Sequence, residues 1–317
     1  MRTREIRLLP NLKRQENSRK KDFHEPVLYQ PALENLKVKA GKKYIDATAG
    51  GGGHTKGILE LGAIVLAIDT DPDSINYLAG RFGLTLTKKS NFTCAISSKI
   101  TLVQDNFVNL GRIAKTFGFK KVDGILFDLG VSSFQLERGE RGFSLKREGP
   151  LDMRMNPALS VTAADLINGL NKGELYELFT NYGEERFSRR LASAIVQSRI
   201  KKKIETTTQL AEFIERAIGR RGKVHPATKV FLALRIAVND ELNNLKVGLL
   251  EAVKLLSVGG RLVLISFHSL EDRVIKNFLK EREDLKVITK KPIRPSREEI
   301  LSNPRSRSAK MRVAEKV

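Results

Sequence analysis

Tyr44-Ile45-Asp46-Ala47-Thr48-Ala49-Gly50-Gly51-Gly52-Gly53-His54 is the stretch whose reading decides the fold. A short apolar strand closes on a carboxylate, a glycine turn follows, and a helix begins. That is the opening strand, loop and helix of a nucleotide-type αβ unit. Glycine serves there because a backbone without Cβ takes positive φ and lets a cofactor approach closely, with helix N-terminal amides turned toward it. A flexible linker is also glycine-rich, but the strand and helix patterns on either side argue against one. Asp69 follows nineteen residues after Gly50 and closes a second apolar run, Ile64 to Ile68. The run is unbroken, as a parallel sheet covered on both faces requires.

Working outward, the alternation of strand and helix continues. His24-Glu25-Pro26 enters a helix that reaches about Leu36, the first strand lies near Lys43 to Ala47, and its helix runs from His54 to about Leu61. A helix starts near Asp73, and Thr85 to Lys99 reads as a polar surface loop. The strand Ile100 to Gln104 ends at Asp105-Asn106-Phe107, and Val122 to Phe127 ends at Asp128-Leu129-Gly130. A helix from about Asn243 to Leu256 and a Gly259-Gly260 turn precede the strand Arg261 to Phe267. This pattern predicts an α/β fold with a doubly wound parallel sheet.

Residues 136 to 226 have a different texture, loop-like Gly and Arg followed by helical periodicity without a clear strand. They read as a helical domain inserted between a first part, 23 to 135, and a second part, 227 to 317. One of its helices carries Phe187, Leu191 and Ile195 on one face and Arg186, Arg189 and Arg190 on another. The arginine face is either simply solvated or turned toward RNA. Residues 1 to 22 are polar and basic and read as a flexible tail, and the basic C-terminal region reads as loop before a short strand, Lys310 to Ala314.

With 57 Lys and Arg against 36 Asp and Glu, the chain of 317 residues carries a net charge of +21. Such an excess favours polyanions, because each neutralised phosphate releases counterions. An anionic membrane surface would suit the charge too, but no long apolar run exists to span or anchor one. Cys94 is the only cysteine, which excludes an intrachain disulfide and a cysteine-rich metal site. A reducing, cytoplasmic setting is expected. The N-terminus lacks the apolar core of a secretory signal, and Glu5 and Glu16 speak against a transit peptide.

Asp46, Asp69, Asp105 and Asp128 end, or directly follow, successive strands, along the edge where open parallel sheets bind ligands. Any one of them alone is best read as a cap or turn residue. Together, beside a glycine turn, they indicate a cofactor. A phosphate-binding loop needs Gly-Lys-Ser/Thr, which is missing, and a dinucleotide loop needs a small residue where Thr55 stands. S-adenosylmethionine fits better, with a ribose diol for Asp69, an adenine near Phe107 and a cationic sulfonium and ammonium among acids. Ser266-Phe267-His268-Ser269 lacks a nucleophile elbow, and Ser269 more simply caps the following helix. The histidines make no zinc pattern, no metal is expected, and His54 reads as ordering the cofactor loop.

Several strings resemble those of the ribosomal RNA small subunit methyltransferase H family. They are Thr48-x-Gly50-x-Gly52-Gly53-His54, Asp128-Leu129-Gly130-Val131-Ser132-Ser133, Arg141-Gly142-Phe143-Ser144 and Gly149-Pro150-Leu151-Asp152-Met153-Arg154-Met155. Tyr182-Gly183-Glu184-Glu185, His225-Pro226-Ala227-Thr228, Ser266 to Arg273 and Asn303 to Ser308 continue the likeness, which runs from His24 to Ala314. The resemblance implies a Rossmann-like class I S-adenosylmethionine-dependent methyltransferase sheet with an inserted substrate-recognition domain. It implies methylation of the exocyclic N4 of a decoding-centre (P-site) cytosine in 16S ribosomal RNA, with the small ribosomal subunit as partner, and a homodimer is compatible with it. It places Gly52, Gly53, His54, Asp69, Phe107, Asp128 and Gln135 at cofactor-contact positions. Ala49 stands where the family often has Phe, Leu232 replaces a frequent Gln, and the basic tail is longer than usual.

Cytosine N4 is a poor nucleophile because its lone pair is conjugated with the ring. A hydrogen-bond acceptor that draws the lone pair out of the plane and takes up developing positive charge would help. Asp128 and the Leu129 carbonyl are the candidates, with Asp128 either catalytic or a cofactor ligand. The target base must be unstacked or already single-stranded to enter such a pocket. Two other classes stay open at this level, a non-catalytic RNA-binding or assembly protein with a Rossmann-like fold and an NAD-dependent oxidoreductase.

Overall fold

The computed structural model describes residues 26–219 and 224–317. The basic tail, His24 and Glu25 lie outside the described residues. Helix α1 (Tyr29–Leu36) is followed by β1 (Lys43–Asp46), α2 (Gly53–Glu60), β2 (Ile64–Asp69) and α3 (Pro72–Arg81). Then come β3 (Thr87–Lys89), β4 (Phe92–Ile96), β5 (Ile100–Gln104), α4 (Leu110–Phe117) and β6 (Val122–Asp128). The helical part contains α5 (Ser133–Glu137), α6 (Ala163–Gly169), α7 (Lys172–Asn181), α8 (Ser188–Lys201), α9 (Thr207–Ile218) and α10 (Thr228–Asn239). The chain returns through α11 (Glu241–Leu255), β7 (Leu256–Ser266), α12 (Ser269–Lys280), β8 (Leu285–Val287), α13 (Arg297–Ser302) and β9 (Lys310–Lys316).

The strands form one sheet in the order β3-β4-β5-β2-β1-β6-β7-β9-β8. From β5 to β7 neighbours run parallel, and β9 is antiparallel to both β7 and β8. This is a Rossmann-like sheet, doubly wound from β1 with one reversed strand near the far edge. The unbroken apolar runs sort by alternation onto two buried faces. Ile45, Leu66, Ile68, Ile125 and Phe127 pack with α4, α11 and α12. Tyr44, Val65, Ala67, Leu126 and Val263 pack with α1, α2 and α3.

Two sequence expectations are corrected. The polar stretch Thr85 to Lys99 is not a loop, because β3 and β4 form a hairpin that extends the sheet antiparallel to β5. Its two-residue turn puts Ser90 at φ 48° and Asn91 at φ 70°, the doubly left-handed geometry that matches strand twist. One strand is fully exposed and the turn lacks glycine, so the hairpin signal was weak, although Phe92 and Cys94 are buried on β4. Secondly, β7 begins at Leu256 instead of after Gly259-Gly260: Val122 pairs with Leu256 and Gly124 with Arg261, so the extra residues bulge out beside β6.

A third core lies among the helices and takes in Phe143, Leu151, Phe179, Leu191, Ile195 and Ile214. It also includes Val230, Phe231 and Leu234 of α10, a helix that the sequence reading gave to the second part of the sheet domain. On α8 Leu191 and Ile195 are buried and Arg189 and Arg190 exposed, as expected, but the helix begins only at Ser188, so exposed Arg186 and half-buried Phe187 precede it. Among the described residues no helix is long and apolar enough to cross a membrane.

Candidate active site

A cavity of about 570 Å³ opens at the C-terminal ends of β1, β2, β5 and β6. Its sheet-side wall includes Gly50, Gly51, Gly53, His54, Asp69, Phe107, Asp128 and Gln135, and the helical part closes it with Met155, Asn156 and Asn239.

The strand-end acids divide into distinct roles. Asp69 is held from both sides, Oδ2 accepting from the Gly50 amide at 2.7 Å and Oδ1 from the Asp71 amide at 2.8 Å. Burial pushes its carboxyl up to about 7, against the pull of those amides. Asp128 also faces the cavity. Its amide donates to Thr48 Oγ1 at 2.6 Å, its Oδ2 lies 3.5 Å from His54 Nε2, and its Oδ1 is buried without a hydrogen-bond partner among the described residues.

Asp105 lines the cavity but spends its oxygens on the Asn106 amide at 2.7 Å, Asn109 Nδ2 at 2.9 Å and Arg112 at 3.1 Å. Asp46 does not line the cavity. It is 1% exposed and ties β1 to α2, accepting from Thr55 Oγ1 at 2.6 Å. Burial raises its pKa, with the Thr55 hydroxyl opposing. The expectation of four acids facing a cation thus narrows to Asp69 and Asp128. Helix-start hydroxyls are natural partners for a strand-end carboxylate, and position alone could not tell such a tie from a ligand.

Gly52 is likewise structural. It caps α2 at φ 73°, and a Cβ there would lie 2.3 Å from Leu78 Cδ2 on α3. Gly53 reaches the cavity and also packs on Pro26, whose Cγ would stand 2.1 Å from an added Cβ. His54 is 5% exposed; burial opposes its protonation, and the Asp128 and Asp46 carboxylates more than offset that, so its pKa is raised. The Phe107 ring meets Phe127 edge-on at 5.4 Å and faces α11 at Gly248, where an added Cβ would lie 2.6 Å from Phe107 Cδ2.

Gln135 is buried and anchors the loop after β6. Its Oε1 accepts from the Ser132 amide at 3.0 Å and its Nε2 donates to Asp71 Oδ2 at 2.7 Å. Arg141 joins the same network. Nη1 donates to Asp71 Oδ2 at 2.9 Å and Asp73 Oδ2 at 3.0 Å, and Nη2 to the carbonyls of Arg154 and Met155 at 3.1 and 2.9 Å. Asn239 continues it, accepting from the Met155 amide at 2.7 Å and donating to the Met153 carbonyl at 2.8 Å. The segment Met153 to Asn156 is therefore pinned over the cavity by residues from both parts of the chain.

His268, not Ser269, caps α12, accepting from the Glu271 amide at 3.4 Å. Ser269 Oγ instead donates to Glu184 Oε2 at 2.6 Å, and Arg273 reaches Glu184 Oε1 at 2.8 Å. Two of the recognised strings, far apart in sequence, meet here and join the helical part to the sheet. Glu271 accepts from the Phe267 amide at 2.8 Å and lies 3.1 Å from His268 Nε2, which fixes the turn that presents Phe267 to the cavity. Burial opposes charge on Glu271, but His268 and Arg235 hold its pKa below the usual carboxylate range. Glu241, His268 and Glu271 group their donor atoms within 4.8 Å. Arg235 supplies the positive charge there, bonding Glu241 through Nε at 2.7 Å and Nη2 at 2.8 Å.

The sequence reading missed Arg141, Asp71, Asn239 and Gly248. All act through partners at long sequence separation, and only the Arg141 string gave any signal.

The model of the MraW methylase family matches residues 21–317. The Ribosomal RNA small subunit methyltransferase H of Thermomicrobium roseum is 47% identical over 319 residues, covering 93% of this chain and 94% of its own. That of Dehalococcoides mccartyi is 46% identical over 316 residues, covering 93% and 86%, and that of Carboxydothermus hydrogenoformans 45%, covering 93% and 98%. Among solved structures, an rRNA methylase from Streptococcus thermophilus is similar over 93% of this chain and 98% of its own, with 11% identity and a TM-score of 0.40.

Proposed function

We propose, from the premise that this chain belongs to the MraW methylase family, that it methylates 16S ribosomal RNA of the small ribosomal subunit with S-adenosylmethionine as donor. The finer reading is transfer to the exocyclic N4 of a decoding-centre cytosine. The names of relatives that match nearly the whole chain support the ribosomal substrate.

The cavity fits the donor. It combines a glycine wall, an aromatic face at Phe107 and two carboxylates whose charge is not spent on basic side chains as strong hydrogen bonds, Asp69 and Asp128. Each Asp69 oxygen accepts one amide and keeps a lone pair for a diol hydroxyl. Gly53, His54 and Gln135 would hold the loops around it. When bound, the group would supply an electrophilic methyl carbon whose bond to the sulfonium sulfur breaks as it is transferred, the electron pair staying on sulfur as a neutral thioether.

The observation that carries the catalytic assignment is Asp128, a carboxylate that lines the cavity and whose Oδ1 has no hydrogen-bond partner among the described residues. A buried acceptor of this kind costs free energy unless something donates to it. An exocyclic amine is such a donor. As the new N–C bond forms, Asp128 accepts the N4 hydrogen bond and takes the proton that nitrogen must lose. His54, protonated more readily than an ordinary histidine, balances the second oxygen. The pinned segment Met153 to Asn156 limits water and positions the base. The exposed arginines of α8 are a surface for flanking RNA.

The test is transfer of labelled methyl to unmodified small subunits with base-resolved readout. Asp128→Ala is expected to abolish transfer while the fold persists, and near-normal turnover in that variant would overturn the catalytic role. A methyl mapped to another position would overturn the cytosine N4 reading alone.

A further inference from the structure

A second concavity, of about 340 Å³, adjoins the main cavity and shares Phe267 with it as a lining residue. Its remaining lining includes His268, Arg294, Arg307, Ser308 and Lys310. Lys310 is partly neutralised by Asp272 at 2.9 Å, but Arg312 pairs with the same carboxylate at 2.7 Å, so the group keeps an excess of positive charge. Arg294 and Arg307 are exposed and make no ion pair or hydrogen bond among the described residues. Among the described residues no acidic side chain lines this concavity.

The turn that divides the two concavities explains the Asn303-Pro304-Arg305-Ser306-Arg307-Ser308 string, which the methyl-transfer chemistry leaves unused. Pro304–Ser308 is a 3₁₀ helix. At three residues per turn, positions two apart point about 120° away from each other. Arg305 accordingly faces the main cavity and Arg307 the second. Between them Ser306 is fully buried, its Oγ donating to the Asn303 carbonyl at 2.8 Å. One anchored turn thus delivers a guanidinium to each side.

We propose that the concavity of Phe267, His268, Arg294, Arg307, Ser308 and Lys310 is a phosphodiester site that grips the RNA backbone beside the target nucleotide. The strand crosses Phe267, with the extruded base in the main cavity and the neighbouring phosphates on Arg294 and Arg307. Guanidinium forks match phosphate oxygens, and an aromatic wall suits the adjoining base. The inference rests on the ribosomal RNA reading above and deepens it by naming where the strand enters.

The test compares the chain with Arg294→Ala/Arg307→Ala, Arg294→Lys/Arg307→Lys and Lys120→Ala/Lys121→Ala, the last removing equal charge just before β6, at the N-terminal end of the parallel strands, away from their cavity-bearing ends. Binding of unmodified small subunits is measured as a function of salt, with KM for methyl transfer alongside. Loss of two phosphate contacts to a single strand lowers the slope of log K against log salt by about 1.4 and raises KM roughly tenfold. Cofactor affinity is unchanged, the Lys pair keeps the slope, and the Lys120/Lys121 variant keeps both slope and KM. A wild-type slope and KM in the Arg294/Arg307 alanine variant overturns the proposal, and so does an equal loss in the Lys120/Lys121 variant. If the wild-type chain transfers no methyl to the subunit, the functional reading fails, whereas the salt slopes still decide the phosphodiester site.

Discussion

Gly248→Ala is a one-carbon change on α11, outside the glycine loop, yet its effect is expected at the cofactor. The added Cβ would stand 2.6 Å from Phe107 Cδ2 and 3.2 Å from Cε2, closer than carbon atoms can pack. Alanine gains about 1 kcal/mol over glycine in a helix interior, and overpacking costs about 1–3 kcal/mol. Folding stability should therefore stay within about 2 kcal/mol of wild type. The strain falls on Phe107, which cannot retreat, because its ring already meets the fully buried Phe127 at 5.4 Å. The ring must turn toward the cavity it lines. A loss of about 1–2 kcal/mol of binding is a fall in cofactor affinity of roughly 5- to 30-fold. Isothermal titration with S-adenosylmethionine, with thermal unfolding in parallel, reads both quantities. Gly248→Ala/Phe107→Leu relieves the clash and should recover part of the affinity. Wild-type affinity in the folded single variant would refute the reasoning, as would a double variant no better than the single.

Three further outcomes follow from the geometry. Arg141→Met leaves the buried Asp71 carboxylate without its guanidinium, and chemical unfolding should show a loss of about 3–5 kcal/mol; Arg141→Lys should not restore it, since one ammonium cannot reach Asp71, Asp73 and two carbonyls together. Gly52→Ala combines a strained φ of 73° with a Cβ contact on Leu78, and a lowered melting temperature with slower methyl transfer is expected. Asp69 has a folded pKa raised to about 7, so between its unfolded value and 7 the folded state binds the extra proton. Stability from this group is present below the unfolded pKa and lost as pH rises through about 7, whereas affinity for a diol that donates to the carboxylate rises over the same window. Titration from about pH 5.5 to about 8 should show both trends, and Asp69→Asn should flatten them; an unchanged profile in that variant would remove Asp69 from the assignment.

The sequence by itself determined the parallel core of the sheet. Apolar runs such as Ile64 to Ile68, closed by carboxylates and glycine turns, have a local signature, because strand burial and tight turns depend on neighbours a few residues away. The strings around Asp128, Arg141 and Ser266 carried the family resemblance in the same way. Tertiary structure alone decided which strand-end acids serve the cavity. Asp46 and Asp69 look alike in sequence, yet Thr55 claims one and the other faces the open space. It also decided that Ser90-Asn91 turns a hairpin, that Glu184 joins Ser269 and Arg273, and that Arg305 and Arg307 serve two different concavities. Each of these depends on a partner brought close only by folding, and a side chain's role is fixed by what donates to it, accepts from it or displaces water around it.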